Sequence, residues 1–160
     1  MRIRINVDVS NLTEELPMLA QYIRRDSAFA MYRALTILKA QVMQNIRQNS
    51  GLHVRTGNLL NSINTNVQVE GDRIVGRVFS ENVPYAMIHE YGGVIPTQIV
   101  YPRKAQTLSW GKGGSKFFSK KVVIPEHTIP ARPYMFPAIE ERSQEIYETF
   151  GLIISKNLGD

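Results

Sequence analysis

The chain of 160 residues contains no cysteine. Disulfide scaffolds, thiolate zinc sites, iron–sulfur clusters and cysteine nucleophiles are therefore excluded. Its three histidines, His53, His89 and His127, lie in unrelated segments, so a three-histidine metal site would need all of them. No apolar run approaches the roughly 18–20 residues that span a bilayer. The opening Met-Arg-Ile-Arg-Ile-Asn alternates and lacks the apolar stretch of a secretory signal. Neither a membrane span nor a signal is expected. One stretch lacks acid: between Pro102 and Pro125 stand Arg103, Lys104, Lys112, Lys116, Lys120 and Lys121, with no Asp or Glu among them.

That stretch accounts for the whole excess of positive charge. The chain has 19 basic and 14 acidic residues, a net of +5. Setting the six aside leaves 13 basic against 14 acidic, a net of −1. The same segment carries Gly111, Gly113, Gly114, Ser109, Ser115 and Ser119. Residues 102–121 thus read as a mobile basic loop or the tip of a long hairpin. Its lysines either keep a solvated loop soluble or form a finger that meets phosphate or an acidic partner.

Apolar residues make up 43% of the chain, enough for a packed core in a single domain over 1–160. Ile3, Ile5, Val7 and Val9 alternate with polar residues and predict a half-buried strand. Asn11 or Thr13 offers a helix cap, with Glu14 and Glu15 in the first turn. A short helix to about Arg25 follows, with Asp26-Ser27 either capping a second helix or lying inside one long one. Strand and short helix together occupy 1–26. Phe29, Tyr32, Leu35, Leu38, Val42 and Ile46 recur at helical spacing, with Gln41 and Gln44 on a wetter side; Asn49-Ser50-Gly51 stops that helix. Residues 63–69 and 73–80 predict a β-hairpin turning at Gly71-Asp72. A two-turn helix spans Tyr85 to Tyr91, with Tyr85, Ile88 and, less regularly, Tyr91 facing the core. Residues 94–101 and 122–125 are extended and pair across the basic segment. A last helix opens at Pro137 and runs to about Asn157. The class is α+β, with a mostly antiparallel sheet and the two long helices packed together.

No enzymatic pattern is complete. His89-Glu90 begins like a zinc-protease helix, but Gly93 stands where the second ligand belongs. Gly111-Lys112 has Gly113 next, not the Ser or Thr of a phosphate loop. No catalytic, metal or cofactor residue is expected, and no enzyme activity.

Three other segments are more informative. Arg55-Thr56-Gly57-Asn58-Leu59-Leu60-Asn61-Ser62-Ile63 leads into the hairpin, with Thr56 able to cap one helical turn. Tyr85-Ala86-Met87-Ile88-His89-Glu90-Tyr91-Gly92-Gly93 is a short helix with an abrupt exit. Pro130-Ala131-Arg132-Pro133-Tyr134 is a stiff bend before the last helix, where Arg132 satisfies helix carbonyls or pairs with an acidic partner. Each alone is a turn-and-cap device. Together, in this order, they resemble the phage tail-completion family, also described as head–tail joining, neck, connector, minor tail or virion morphogenesis proteins. Thr56, Gly57, Leu59, Ser62 and Ile63 match its first motif. Tyr85, Ala86, Glu90, Gly92 and Gly93 match the second. Pro130, Arg132, Pro133 and Tyr134 match the third. The resemblance covers about residues 27–157.

The resemblance implies a non-catalytic virion protein of a tailed bacteriophage, assembled in the host bacterial cytoplasm. It implies a ring, typically hexameric, at the head-proximal end of the tail, with subunits that can be monomeric in isolation. The implied partners are a tail terminator or tail tube protein and a head-completion protein, with weak transient DNA contact and no membrane. Trp110, Phe117 and Phe118 beside the lysines support a second reading, a small basic nucleic-acid-binding protein using 103–121.

Overall fold

A computed structural model describes residues 2–8, 17–48, 52, 56–103, 105–112 and 115–158. The expected cap at Asn11 or Thr13, the stop at Asn49-Ser50-Gly51, His53 and Lys104 lie outside the described residues. The described elements are α+β. Strand β1 (Arg2–Asp8) is followed by helix α1 (Pro17–Gln48) and the single turn α2 (Asn58–Asn61). Strands β2 (Ile63–Glu70) and β3 (Arg73–Ser80) form the hairpin, and helix α3 (Ala86–Tyr91) follows. Six short strands come next: β4 (Gly93–Ile95), β5 (Gln98–Val100), β6 (Leu108–Lys112), β7 (Ser115–Ser119), β8 (Val122–Ile124) and β9 (His127–Ile129). Helix α4 (Phe136–Leu158) ends the chain's described part.

The sheet has the order β1–β3–β2, antiparallel throughout. Alternation puts Ile3, Ile63, Ile74 and Val78 on the face that α1 covers. Helix α1 comes close to β3 at Gly76, where a Cβ would collide with the Met31 side chain. On its other flank α1 packs against α4. Asn45 donates to the Tyr134 carbonyl at 3.3 Å, and Gln41 meets Glu141 and Arg142, so the two helices run antiparallel. Met31, Leu35, Leu38, Val42 and Ile46 fill the space between the layers with Tyr134, Met135 and Ala138.

Helix α1 is a single rod, with Asp26 and Ser27 buried inside it. Its buried stripe does not include Phe29 or Tyr32, which are exposed. At 100° per residue the stripe through Leu35, Leu38 and Val42 continues to Met31 and Ser27, and position 29 falls on the far side. The small residues at Ala30 and Ala34 let the backbone approach its neighbours; the larger aromatics were the wrong guide. Gln41 also departs from its expected wet side, being buried. Its amide donates to Asn45 at 2.9 Å and Glu141 at 2.5 Å, and its oxygen accepts from Arg142 at 2.7 Å. Those partners satisfy both donors and one acceptor lone pair, which makes burial tolerable.

The strands from β4 to β9 pair as three short two-stranded ladders in succession along one ribbon-like excursion. Gly93 pairs with Ile129, Gln98 with Ile124 and Leu108 with Ser119. The ladder breaks at 96–97 and again at 101–107. Residues 102–121 are therefore not loop throughout: they hold the paired outer strands β6 and β7. Among the described residues no helix is long and apolar enough to cross a membrane.

Candidate functional site

The second and third sequence motifs meet in space around Glu90. Only Ala86 and Glu90 are buried on α3, an i,i+4 pair on one side of the helix. The Glu90 carboxylate, 2% exposed, points at the start of α4. Its Oε2 accepts the backbone N–H of Tyr134 at 2.8 Å and of Met135 at 3.0 Å. Its Oε1 accepts the N–H of Phe136 at 3.0 Å. Helix α4 has no acid in its own first turn. The negative charge its N-terminus favours comes instead from a residue 46 positions earlier. Pro137 removes one further unpaired N–H.

Two more bonds close this clasp. The Arg132 backbone N–H donates to the His89 carbonyl at 2.7 Å. The Tyr134 hydroxyl donates to the Ala86 carbonyl at 3.3 Å. Burial raises the Tyr134 pKa, with the Glu90 carboxylate and Tyr91 acting in the same direction. The phenol therefore stays protonated and remains a donor. Burial also lowers the His89 pKa, aided by the positive charge of Arg132. The His89 ring meets Tyr85 edge to face at 5.6 Å between centroids.

Gly92 makes the exit from α3. Its φ is +72°, and a Cβ there would lie 2.8 Å from the Ala131 nitrogen and 3.0 Å from the Ile129 oxygen. Only glycine fits both the conformation and the contact. Gly93 opens β4 opposite Ile129, so the ribbon leaves and re-enters at the clasp. Pro130 and Pro133 flank that return. Tyr85 and Tyr91, matched to core positions by sequence, are exposed instead. On this short helix the small residue and the acid face inward, and the aromatics face outward.

The first motif is a separate device. Gly57, not Thr56, is the N-cap residue of α2, with φ +73°. Thr56 stands one place earlier, and its Oγ1 accepts the Asn58 N–H at 3.4 Å. Leu59 and Leu60 are partly buried against the core and Ile63 is fully buried. Ser62 Oγ donates to the Leu59 carbonyl at 2.7 Å and lies 2.8 Å from Ser80 Oγ. Its one proton is thus committed, and Ser80 is the donor of the second bond. The Glu81 N–H reaches the Ser62 carbonyl at 3.0 Å. Motif one therefore pins the start of β2 to the end of β3. It does not join the clasp.

The basic segment is the far part of the ribbon. Arg103, Lys116, Lys120 and Lys121 are exposed. Lys112 ends β6, opposite Ser115. Trp110 and Phe117 face each other across the ladder and stack at 6.1 Å, with 25° between ring planes. Phe118 projects from the other face, opposite Ser109, and is 65% exposed. Among the described residues no group of three or more His, Asp or Glu is placed to hold a metal ion.

The sequence places Glu90 both in an incomplete zinc pattern and in the second motif, but does not reveal the backbone groups it holds. The usable signal was the small-plus-acid pair Ala86 and Glu90 four residues apart, followed by Gly-Gly and then a helix start without its own acid. Comparison of the chain with family models, with curated proteins and with solved structures finds no match.

Proposed function

We propose that this chain is a structural protein of a tailed bacteriophage virion, a tail-completion subunit that forms a ring at the head-proximal end of the tail and joins tail to head. The observation that carries the reading is the clasp at Glu90. Two of the three ordered motifs are consumed in building it, and it fixes the base of a long exposed ribbon. The side chains with the most chemical potential are tied into it: Glu90 and Tyr134 hold backbone groups, and the His89 ring packs edge to face on Tyr85. A rigid body presenting an arm suits a subunit that must engage neighbours on heterologous faces. The ring, its hexameric symmetry, the partners above and below and the virion location are parts of this proposal. So is the absence of catalysis.

The test mixes the purified protein with candidate tail-tube, terminator and head-completion proteins. Light scattering follows mass, and electron microscopy images the product. A ring, or capture on tail ends, supports the reading and supplies the symmetry. A persistent monomer that ignores all three overturns it. The stacked Trp110–Phe117 pair beside exposed lysines favours a second reading, nucleic-acid binding. That reading requires DNA binding that falls steeply with salt and vanishes when the ribbon lysines are neutralised.

A further inference from the structure

The outer ribbon carries a basic, aromatic tip and the outer face of α4 an acidic stripe, and both are exposed. On the ribbon, one face carries Phe118 and Lys116. Their cross-strand partners are Ser109 and Gly111, both small. Phe118 is therefore a knob on an otherwise low surface, set in a segment with six basic residues and no acid.

Helix α4 presents the opposite relief. Its exposed stripe runs through Glu140, Gln144, Tyr147, Glu148, Gly151 and Leu152, at the spacing of one helix face. Tyr147 is 73% exposed and Leu152 72%. At Gly151 a Cβ would meet nothing within 4 Å. A glycine inside a helix costs about 1 kcal/mol relative to alanine, and among the described residues nothing requires it there. It leaves a notch bordered by Tyr147, Glu148 and Leu152. Between 140 and 148 the helix carries four glutamates and one arginine, a net of −3. Another exposed aromatic surface, Tyr22, Phe29 and Tyr32 on α1, lies beside exposed Arg25 and Arg33 and has the wrong sign for a basic tip.

We propose that the Phe118 knob of one copy seats in the Gly151 notch of the next, with Lys116 and Lys120 facing Glu140 and Glu148. The contact is heterologous, tip to helix, so repeating it closes a ring or extends a filament. It rests on the ring reading above and names the surface that would build the ring. Burying one aromatic ring in a notch and ringing it with opposite charges is the arrangement of an interface hot spot.

The cysteine-free chain permits a direct test. Full-length Ser109→Cys and Gln144→Cys proteins are mixed, alone at high concentration and on isolated phage tails, and treated with a short bis-maleimide. Wild-type assembly is followed in parallel by light scattering. The expected result is a cross-link in the mixed sample, absent when Asn66→Cys replaces Gln144→Cys. Lys116→Glu with Lys120→Glu lowers the yield about tenfold or more, as does Glu140→Lys with Glu148→Lys, and combining the two reversed partners restores it. Gly151→Gln raises the unfolding midpoint, since it fills open space on a helix, yet abolishes the cross-link. If the wild type assembles and the mixed pair stays uncoupled, this docking is overturned and the ring reading stands. If the wild type never assembles, both fall. If the tip instead binds single-stranded DNA or anionic vesicles through the same lysines, without the cross-link, the docking is again overturned.

Discussion

The clasp at Glu90 and the tip at Phe118 belong to one continuous excursion of the chain, yet they handle polar and apolar groups in opposite ways. At the clasp a carboxylate is buried and every oxygen has a backbone donor. At the tip, aromatic rings stand in water and charges lie in the open. A charge can be buried when fixed dipoles replace its hydration, and three converging N–H groups at a helix start do so. Exposed aromatics contribute little to the stability of the chain that carries them. The comparison separates residues that hold the fold from residues available to something outside it.

The largest effect that sharpens this contrast is expected at Glu90. Glu90→Ala leaves three N–H groups at the start of α4 without their acceptor. It should destabilise the protein by about 3–5 kcal/mol in urea unfolding, with Glu90→Gln costing roughly half as much. Gly92→Ala comes next, at roughly 1–3 kcal/mol, because it combines a positive φ with a backbone collision. His89 gives a smaller, pH-dependent effect. Its pKa in the folded chain lies below its ordinary 6.5. The unfolded chain therefore binds more protons in the window below 6.5, and stability falls as pH drops from 7 toward 5. Thermal midpoints measured across that range should lose this slope component in His89→Gln. The smallest effect is expected at the tip: Trp110→Ala should change unfolding free energy by no more than about 0.5 kcal/mol. A large loss there would break the comparison, since it would make the ribbon part of the core.

Much of the architecture was legible because periodicity reports burial. The alternation in β1 and the hairpin at Gly71 predicted strands within a residue of those observed. The last helix opened one residue before Pro137. Aromatic residues misled, because size attracts attention on a helical wheel while the small Ala30, Ala34 and Ala86 mark the close contacts. Phe29, Tyr32, Tyr85 and Tyr91 all point outward for that reason. The clasp was hidden more deeply. Its acceptor and its donors are 44 to 46 positions apart, and the donors are backbone groups with no residue signature. Gln41 was hidden likewise, because two of the three partners that make its burial tolerable come from α4.

The ribbon enters at Gly93 and returns at Ile129, facing each other across one ladder rung. The body therefore sees the excursion as a closed stub, whatever lies beyond. Doubling the length of a closed loop adds only about 0.6 kcal/mol of closure entropy. Matched insertions or deletions on the two arms would leave Glu90 and its donors untouched. The clasp is in effect a socket, and related chains can be fitted with short, long or chemically different arms without redesign of the body that holds them.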